Sequence, residues 1–374
     1  MSPRLVATYR VRAEPGSIEA RAQAIAVEQS VEMPPAAIDT ARILAEVVGT
    51  VEACIDRGGG LFDIRIGLAT ETIGTDAGQL LNMLFGNTSL HPDVTLIGVD
   101  LPVTLAAAFP GPRIGLAGLR ARLGVPDRAL TGSALKPQGL DAEALAALAG
   151  RFAAGGIDLV KDDHGLADQA TAPFAARVPA CAEAVRRAAR ATGHPTRYAP
   201  SLSGPHGVMR AQIRLAREAG VDTVLVAPMI AGFATVQALA AEFPDIALLA
   251  HPALGGAARI APEVLIGTLF PLIGADAAIF PAHGGRFGYS PTTCRRIAAA
   301  ARHPPHGHPP HRHRPALPVP AGGMTLARVP ELLDFYGPDT MLLIGGNLLA
   351  AGAELTAATA RFVRAVADHR PPPT

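Results

Sequence analysis

The chain has 374 residues, of which 49% are apolar and 17% charged, enough apolar surface for a sizeable core and too little charge for long disorder. Lys and Arg number 33 against 32 Asp and Glu, a net charge of +1 that gives no support for a nucleic-acid or membrane-surface partner. Three widely spaced cysteines, Cys54, Cys181 and Cys294, form no CxxC pair and fit reduced cytosolic thiols. The N-terminus lacks an apolar signal core and no window of about 18 apolar residues occurs, so a soluble cytoplasmic protein is expected.

The first 122 residues read as a small α+β, ferredoxin-like domain. Residues 5–12 alternate as a strand, 18–29 and 36–54 have a helical pattern, 61–68 alternates again, 76–85 is helical and 94–99 is a strand. Phe109 to Pro112 and the Ala/Gly/Leu/Arg stretch after them read as a connector.

From residue 123 onward the pattern is eight β/α units. Strands are expected at 130–135, 157–161, 197–201, 222–226, 246–250, 277–280, 317–320 and 341–344, with helical segments at 141–154, 171–192, 207–219, 234–242, 262–271, 291–302, 325–336 and 348–367. A (β/α)8 TIM barrel over 123–374 accounts for this spacing; a doubly wound open sheet is the competing arrangement. The tract 303–313, rich in Pro and His, falls between a helix and a strand. In a barrel that is the face opposite the catalytic loops, so a solvated insertion is expected, with any metal binding incidental.

In a barrel, the residues just after each strand share one site. They include Lys136-Pro137-Gln138, Lys161-Asp162-Asp163-His164, His251-Pro252, His283-Gly284-Gly285-Arg286, Gly322-Gly323 and Gly345-Gly346-Asn347. Taken singly, a strand-end KDD is more often a solvated loop and a Gly-Gly pair a plain turn. Together they offer oxygen ligands suited to Mg²⁺, a lysine with a pKa lowered beside a cation, and backbone N–H groups for a phosphate. Such a site polarises a carbonyl and makes the neighbouring C–H acidic or a β-carboxylate labile.

These segments resemble the RuBisCO large-subunit superfamily. GGIDLVKDDHGLADQ is similar to the family's GGxDFxKDDE segment, and Ala134-Leu135-Lys136-Pro137 to its TIKPK segment, with Gln138 where a second lysine is usual. Leu249-Ala250-His251-Pro252 resembles HIHR, with Pro252 in place of the phosphate-binding arginine. Gly322-Gly323 and Gly345-Gly346 resemble the two phosphate-binding turns. In the first domain, Val27-Glu28-Gln29-Ser30 resembles AAESS and Phe85-Gly86-Asn87 resembles VGN.

The resemblance implies Lys136, Lys161 and His251 as catalytic residues and Lys161, Asp163 and His164 as Mg²⁺ ligands, with Lys161 carbamylated in the family. It implies substrate or phosphate contacts from His283, Arg286, Gly322, Gly323, Gly345 and Gly346. Glu28 and Asn87 would reach the site of a neighbouring subunit, making a homodimer with shared active sites. Two departures matter. His164 replaces a glutamate ligand and leaves carbamylation open, and the loop 283–288 lacks the family's mobile lysine, so CO₂ fixation is not expected.

The resemblance therefore points to the non-carboxylating, RuBisCO-like branch and to an enediolate formed from a phosphorylated keto-sugar or keto-sugar acid. With Arg286 available for a substrate carboxylate, the expectation is decarboxylation or transcarboxylation/hydrolysis of the 3-oxo-isoapionate 4-phosphate type. The alternatives are 5-methylthioribulose 1-phosphate isomerisation, the diketo-methylthiopentyl-phosphate enolase reaction, and a non-catalytic regulatory or binding protein.

Overall fold

The structure, a computed structural model, describes residues 3–303 and 313–370. Alternation fixes the first layer: β1 (Arg4–Arg12) buries Leu5, Ala7, Tyr9 and Val11 and turns the residues between them outward. It pairs antiparallel with β3 (Leu61–Ala69) and β4 (Val94–Asp100), and β3 pairs with β2 (Thr50–Gly58), giving the order β2-β3-β1-β4. Helices Ile18–Glu28 and Ala77–Phe85 supply Ile25, Leu80 and Leu84 to the core of this sheet. The Tyr9 hydroxyl donates to Leu84 O at 2.6 Å. The result is a β-α-β-β-α-β, ferredoxin-like unit.

One element of this first unit differs from expectation. The helical pattern at 36–54 resolves into short turns at Pro35–Ala37 and Ile43–Val47, followed by β2. Thr50, Val51 and Ile55 are β-branched, and Gly58, Gly59 and Gly60, all with positive φ, make the tight reversal into β3. Apolar spacing alone looks helical here; the glycine triplet decides for a hairpin.

The second unit is the (β/α)8 barrel. Its strands are β5 (Leu130–Leu135), β6 (Leu159–Asp162), β7 (Arg197–Ala199), β8 (Thr223–Val226), β9 (Ala247–Ala250), β10 (Ala277–Pro281), β11 (Leu317–Ala321) and β12 (Met341–Leu343). They form two parallel ladders, β12-β5-β6-β7 and β11-β10-β9-β8, joined by a bridge from Ser201 to Leu225. Closure is visible in the interior. Leu130, Leu159, Ala199, Leu225, Leu249, Ile279, Val319 and Leu343, one from each strand, share a single apolar cluster, as an open sheet cannot arrange.

The remaining seam has a sequence cause. Leu317 N donates to Asp276 O (2.8 Å) and Ala321 O accepts from Ala282 N (2.7 Å), so alternate residues of β11 bond to β10. The residues between, Pro318 and Pro320, face β12 and have no N–H to offer. A side chain bridges the gap, with Thr340 Oγ1 donating to Pro318 O at 3.0 Å.

The segment read as a connector carries a helix, Gly115–Leu123, that closes the barrel floor. Leu119, Leu123 and Val125 join the interior cluster. Buried Asp276 caps the helix, accepting from Ile114 N (2.6 Å) and Gly115 N (2.7 Å), while its other oxygen accepts from Leu248 N (2.9 Å). The expected helix at 262–271 is a π-helical turn, Glu263–Leu269, ending in Phe270–Leu272, where Pro271 cannot donate the usual bond. Positions 304–312 of the His-rich tract lie outside the described residues. No described helix is long and apolar enough to cross a membrane.

Candidate active site

The two-residue period of the strands sorts the polar residues. On β6, Leu159 points into the barrel and Val160 towards the helices, so Lys161 and Asp163 point in and Asp162 points out. On β5 the same alternation brings Ala134 and Lys136 inward. These side chains line a cavity of about 880 Å³ together with residues after β9, β10, β11 and β12. Of the sequence-derived site residues, Lys136, Lys161, Asp163, His164, His251, Arg286, Gly322, Gly323, Gly345 and Gly346 all line it.

Asp163 is the centre of the polar end. Its Oδ2 is 2.6 Å from Lys136 Nζ and its Oδ1 3.3 Å from His164 Nδ1. Burial alone would raise the Asp163 pKa; the contacts with His164 and Lys136 outweigh it and hold the carboxyl well below its usual range. Lys161 is almost fully buried, and its Nζ donates to Asp162 O at 3.0 Å. Burial pushes its pKa down to about 8, with Asp163 opposing and Lys136 adding to the shift.

The imidazoles of His164 and His251 stack, with centroids 4.3 Å apart and planes 6° apart. Burial first, then the charge on Lys161, lowers the His251 pKa to about 3, so this ring is neutral. Its Nδ1 accepts from Ala253 N at 3.1 Å, which places the proton on Nε2 and makes that nitrogen a donor.

Asp162, the outward residue, is structural. Arg177 Nε (3.1 Å), the Tyr198 hydroxyl (2.7 Å) and Ser201 N (3.0 Å) all donate to it. Arg177, itself fully buried, also donates to Ala172 O (2.5 Å) and Ala167 O (2.9 Å), so it pins the loop that follows His164.

Among the described residues no three His, Cys, Asp or Glu side chains form a metal cage. Asp163 and His164 supply one carboxylate and one imidazole. A divalent cation fits this donor set when Lys161 carries a carbamate as the third ligand, and the lowered Lys161 pKa supplies the neutral amine that carbamylation needs.

Residues 115–270 match the model of the ribulose bisphosphate carboxylase large chain, catalytic domain. The chain is 58% identical over 368 residues to the 5-methylthioribulose-1-phosphate isomerase of Rhodospirillum rubrum, covering 98% of this chain and 97% of that one. It is 55% identical over 369 residues to the ribulose bisphosphate carboxylase-like protein 1 of Rhodopseudomonas palustris, covering 99% of both. The chain belongs to the RuBisCO large-chain superfamily. Within it, this RuBisCO-like protein superimposes on the crystal structure of a RuBisCO-like protein from Rhodopseudomonas palustris with a TM-score of 0.91, at 48% identity and full coverage of both chains. A 2,3-diketo-5-methylthiopentyl-1-phosphate enolase of Geobacillus kaustophilus is 33% identical over 294 residues, covering 76% of this chain and 70% of that one.

Three of the expected site residues of the RuBisCO-like protein lie outside its cavity. His283 is 7% exposed and turned into the wall. Its Nε2 is 2.7 Å from Glu331 Oε1, its Nδ1 3.3 Å from the Tyr336 hydroxyl, and its ring centroid 4.2 Å from that of Phe335. Arg328 donates to His283 O at 3.0 Å. These contacts occupy both ring nitrogens and brace the loop after β10. Glu28 and Asn87 lie in the first domain, where Asn87 Nδ2 donates to Glu28 Oε1 and Glu32 Oε1, each at 2.9 Å.

The Gly322-Gly323 turn is required by close approach, whereas Gly345 and Gly346 have open space around them. Gly322 and Gly323 have φ of +88° and +98°. A Cβ on Gly322 would stand 3.2 Å from the Phe287 ring, and one on Gly323 2.9 Å from Arg286 N. Arg286 N donates to Gly322 O at 2.8 Å, locking the two loops together. Part of the lining is apolar and carries no polar sequence signal: Leu254, Phe287, Tyr289 and Met324 all border the cavity.

Proposed function

We infer that this RuBisCO-like protein isomerises a methylthio-ketose phosphate of the 5-methylthioribulose 1-phosphate type. The carrying observation is the convergence of Lys136, Lys161, Asp163 and His251 on one cavity that also has two glycine turns and an apolar wall. The relatives support this substrate over the β-keto-sugar acid expected first, since those described above are named for isomerisation and enolisation. The carboxylate role expected of Arg286 also loses support: its guanidinium lies over the Phe287 ring, 5.4 Å from the centroid.

Isomerisation of a ketose moves a proton from the carbon beside the carbonyl and returns it elsewhere. Lys161 is the proton acceptor in this reading. Burial leaves a fraction of its amine free at neutral pH, the form that takes a proton directly or is carbamylated. Lys136, held 2.6 Å from Asp163, and His251, with Nε2–H free to donate, stabilise the developing enediolate oxygen. The backbone N–H groups of Gly322-Gly323 and Gly345-Gly346 are the phosphate contacts. A Mg²⁺ held by a Lys161 carbamate, Asp163 and His164 would polarise the carbonyl. The apolar wall keeps water from the carbanionic carbon.

The test is a turnover screen by phosphorus NMR with 5-methylthioribulose 1-phosphate and with a phosphorylated β-keto sugar acid. Conversion of the first to an isomeric phosphate is expected. CO₂ release from the second, with the first untouched, overturns the assignment.

A further inference from the structure

Two large apolar side chains stand at the surface of the cavity where folding gives no reason for them. Leu254, after β9, is 58% exposed, and Phe287, after β10, is 52% exposed; both line the cavity. Leu254 also has φ +66°, one of two non-glycine residues with positive φ among the described residues. A side chain in that conformation is strained, and a leucine gains nothing there that asparagine or glycine would not supply at lower cost. Glycines occupy the next two positions, Gly255 and Gly256, so this turn tolerates them. The turn is nonetheless well tied, with Gly255 N donating to Pro252 O (2.9 Å) and Ala257 N to Leu254 O (3.1 Å).

Phe287 is held in place without being buried. Its ring lies against Gly322, where any Cβ would crowd it at 3.2 Å, and beneath the Arg286 guanidinium at 5.4 Å. A hydrogen-bonded turn holds one apolar group and a cation–π contact the other, both on the wall of the same cavity. Met324, buried on the β11 loop, lines the cavity as well.

We propose that Leu254 and Phe287 are specificity-determining residues, an apolar clamp that seats the thioether end of the substrate. The assignment rests on the methylthio-ketose phosphate reading above and deepens it. A thioether is soft and weakly hydrated, packs well against an aromatic face, and leaves the polar end of the cavity to the phosphate and the carbonyl.

The experiment compares kcat/KM for 5-methylthioribulose 1-phosphate with that for 5-deoxyribulose 1-phosphate, which has hydrogen in place of the methylthio group. It is run on the full-length protein and on Leu254→Ala, Leu254→Met, Leu254→Gly and Phe287→Ala, with molar mass followed by light scattering. The selectivity ratio is expected to fall about tenfold in Leu254→Ala and Phe287→Ala, the range a small apolar group commands in a pocket. Leu254→Met, of similar volume, is expected to keep the ratio within about threefold. Leu254→Gly is expected to lose selectivity yet melt no lower than the wild type, because it relieves the backbone. An unchanged ratio in the alanine variants overturns the clamp. So does a change in molar mass with the ratio intact, which would make these residues a contact between copies. Failure of the wild type to turn over either sugar overturns the functional reading and the clamp with it; turnover with unchanged ratios overturns the clamp alone.

Discussion

Replacing Lys161 by methionine is expected to abolish turnover and stabilise the fold. Lys161 is fully enclosed at the end of β6, and burial lowers its pKa from 10.5 to about 8. Between those two values the unfolded chain binds more protons than the native one, so stability rises with pH across that window. Below pH 8 the native state carries the whole cost of a buried ammonium, on the order of 3 kcal/mol at pH 7. Methionine fills a similar volume without charge, so the variant should gain up to that amount at pH 7 and lose the advantage as pH approaches 10.5. The assay is thermal melting of both proteins from pH 6.5 to 10.5 in CO₂-depleted buffer without divalent cations. A melting difference of several degrees at pH 7 that shrinks towards zero at high pH is the expected result. A variant less stable at pH 7, or a difference independent of pH, would refute the reasoning.

The other predictions concern the supports of the site. Arg177→Met leaves Asp162 buried without its cation and releases Ala167 O and Ala172 O, so chemical denaturation should show a loss of about 3–5 kcal/mol; a loss under about 1 kcal/mol would make the pair dispensable. If the protein is the expected homodimer with shared sites, Asn87→Ala should lower kcat at least about tenfold with an unchanged melting point, since Asn87 is exposed in the single chain. Wild-type kcat in that variant would remove Asn87 from the chemistry. Exchanging residues 304–312 for a Gly-Ser linker should leave kcat within about twofold, because the flanking helix Pro291–Arg302 ends, and β11 begins, at the barrel end opposite the cavity; a large loss would contradict that placement.

The barrel was legible because each strand is a short apolar run set off from helical spacing, and the period of two then says which residues enter the site. Lys136, Lys161, Asp163, His164 and His251 follow from that rule and from the resemblance. What escaped had a different kind of signal. β2 looked helical because apolar spacing at 36–54 outweighed the turn signal of Gly58 to Gly60. The plug helix Gly115–Leu123 was hidden by an Ala/Gly/Leu/Arg composition that reads as linker, and only the barrel floor gives its leucines a partner. His283 occupies a strand-end position that normally faces a ligand, but Glu331 and Tyr336, from a helix some fifty residues later, claim both its nitrogens. Leu254 and Phe287 gave no signal at all, because an apolar residue in a loop looks like any other until its exposure and backbone angle are known.

Proton transfer at the carbon beside the carbonyl of a methylthio-ketose phosphate is the central step of the proposed reaction. Its most direct test is proton NMR of 5-methylthioribulose 1-phosphate with the enzyme and Mg²⁺ in deuterated water, run in parallel with Lys161→Ala. Isomerisation with loss of that carbon-bound proton signal by the wild type, and none by the variant, is the predicted result. A substrate left unchanged by the wild type, or equal turnover by Lys161→Ala, would contradict it.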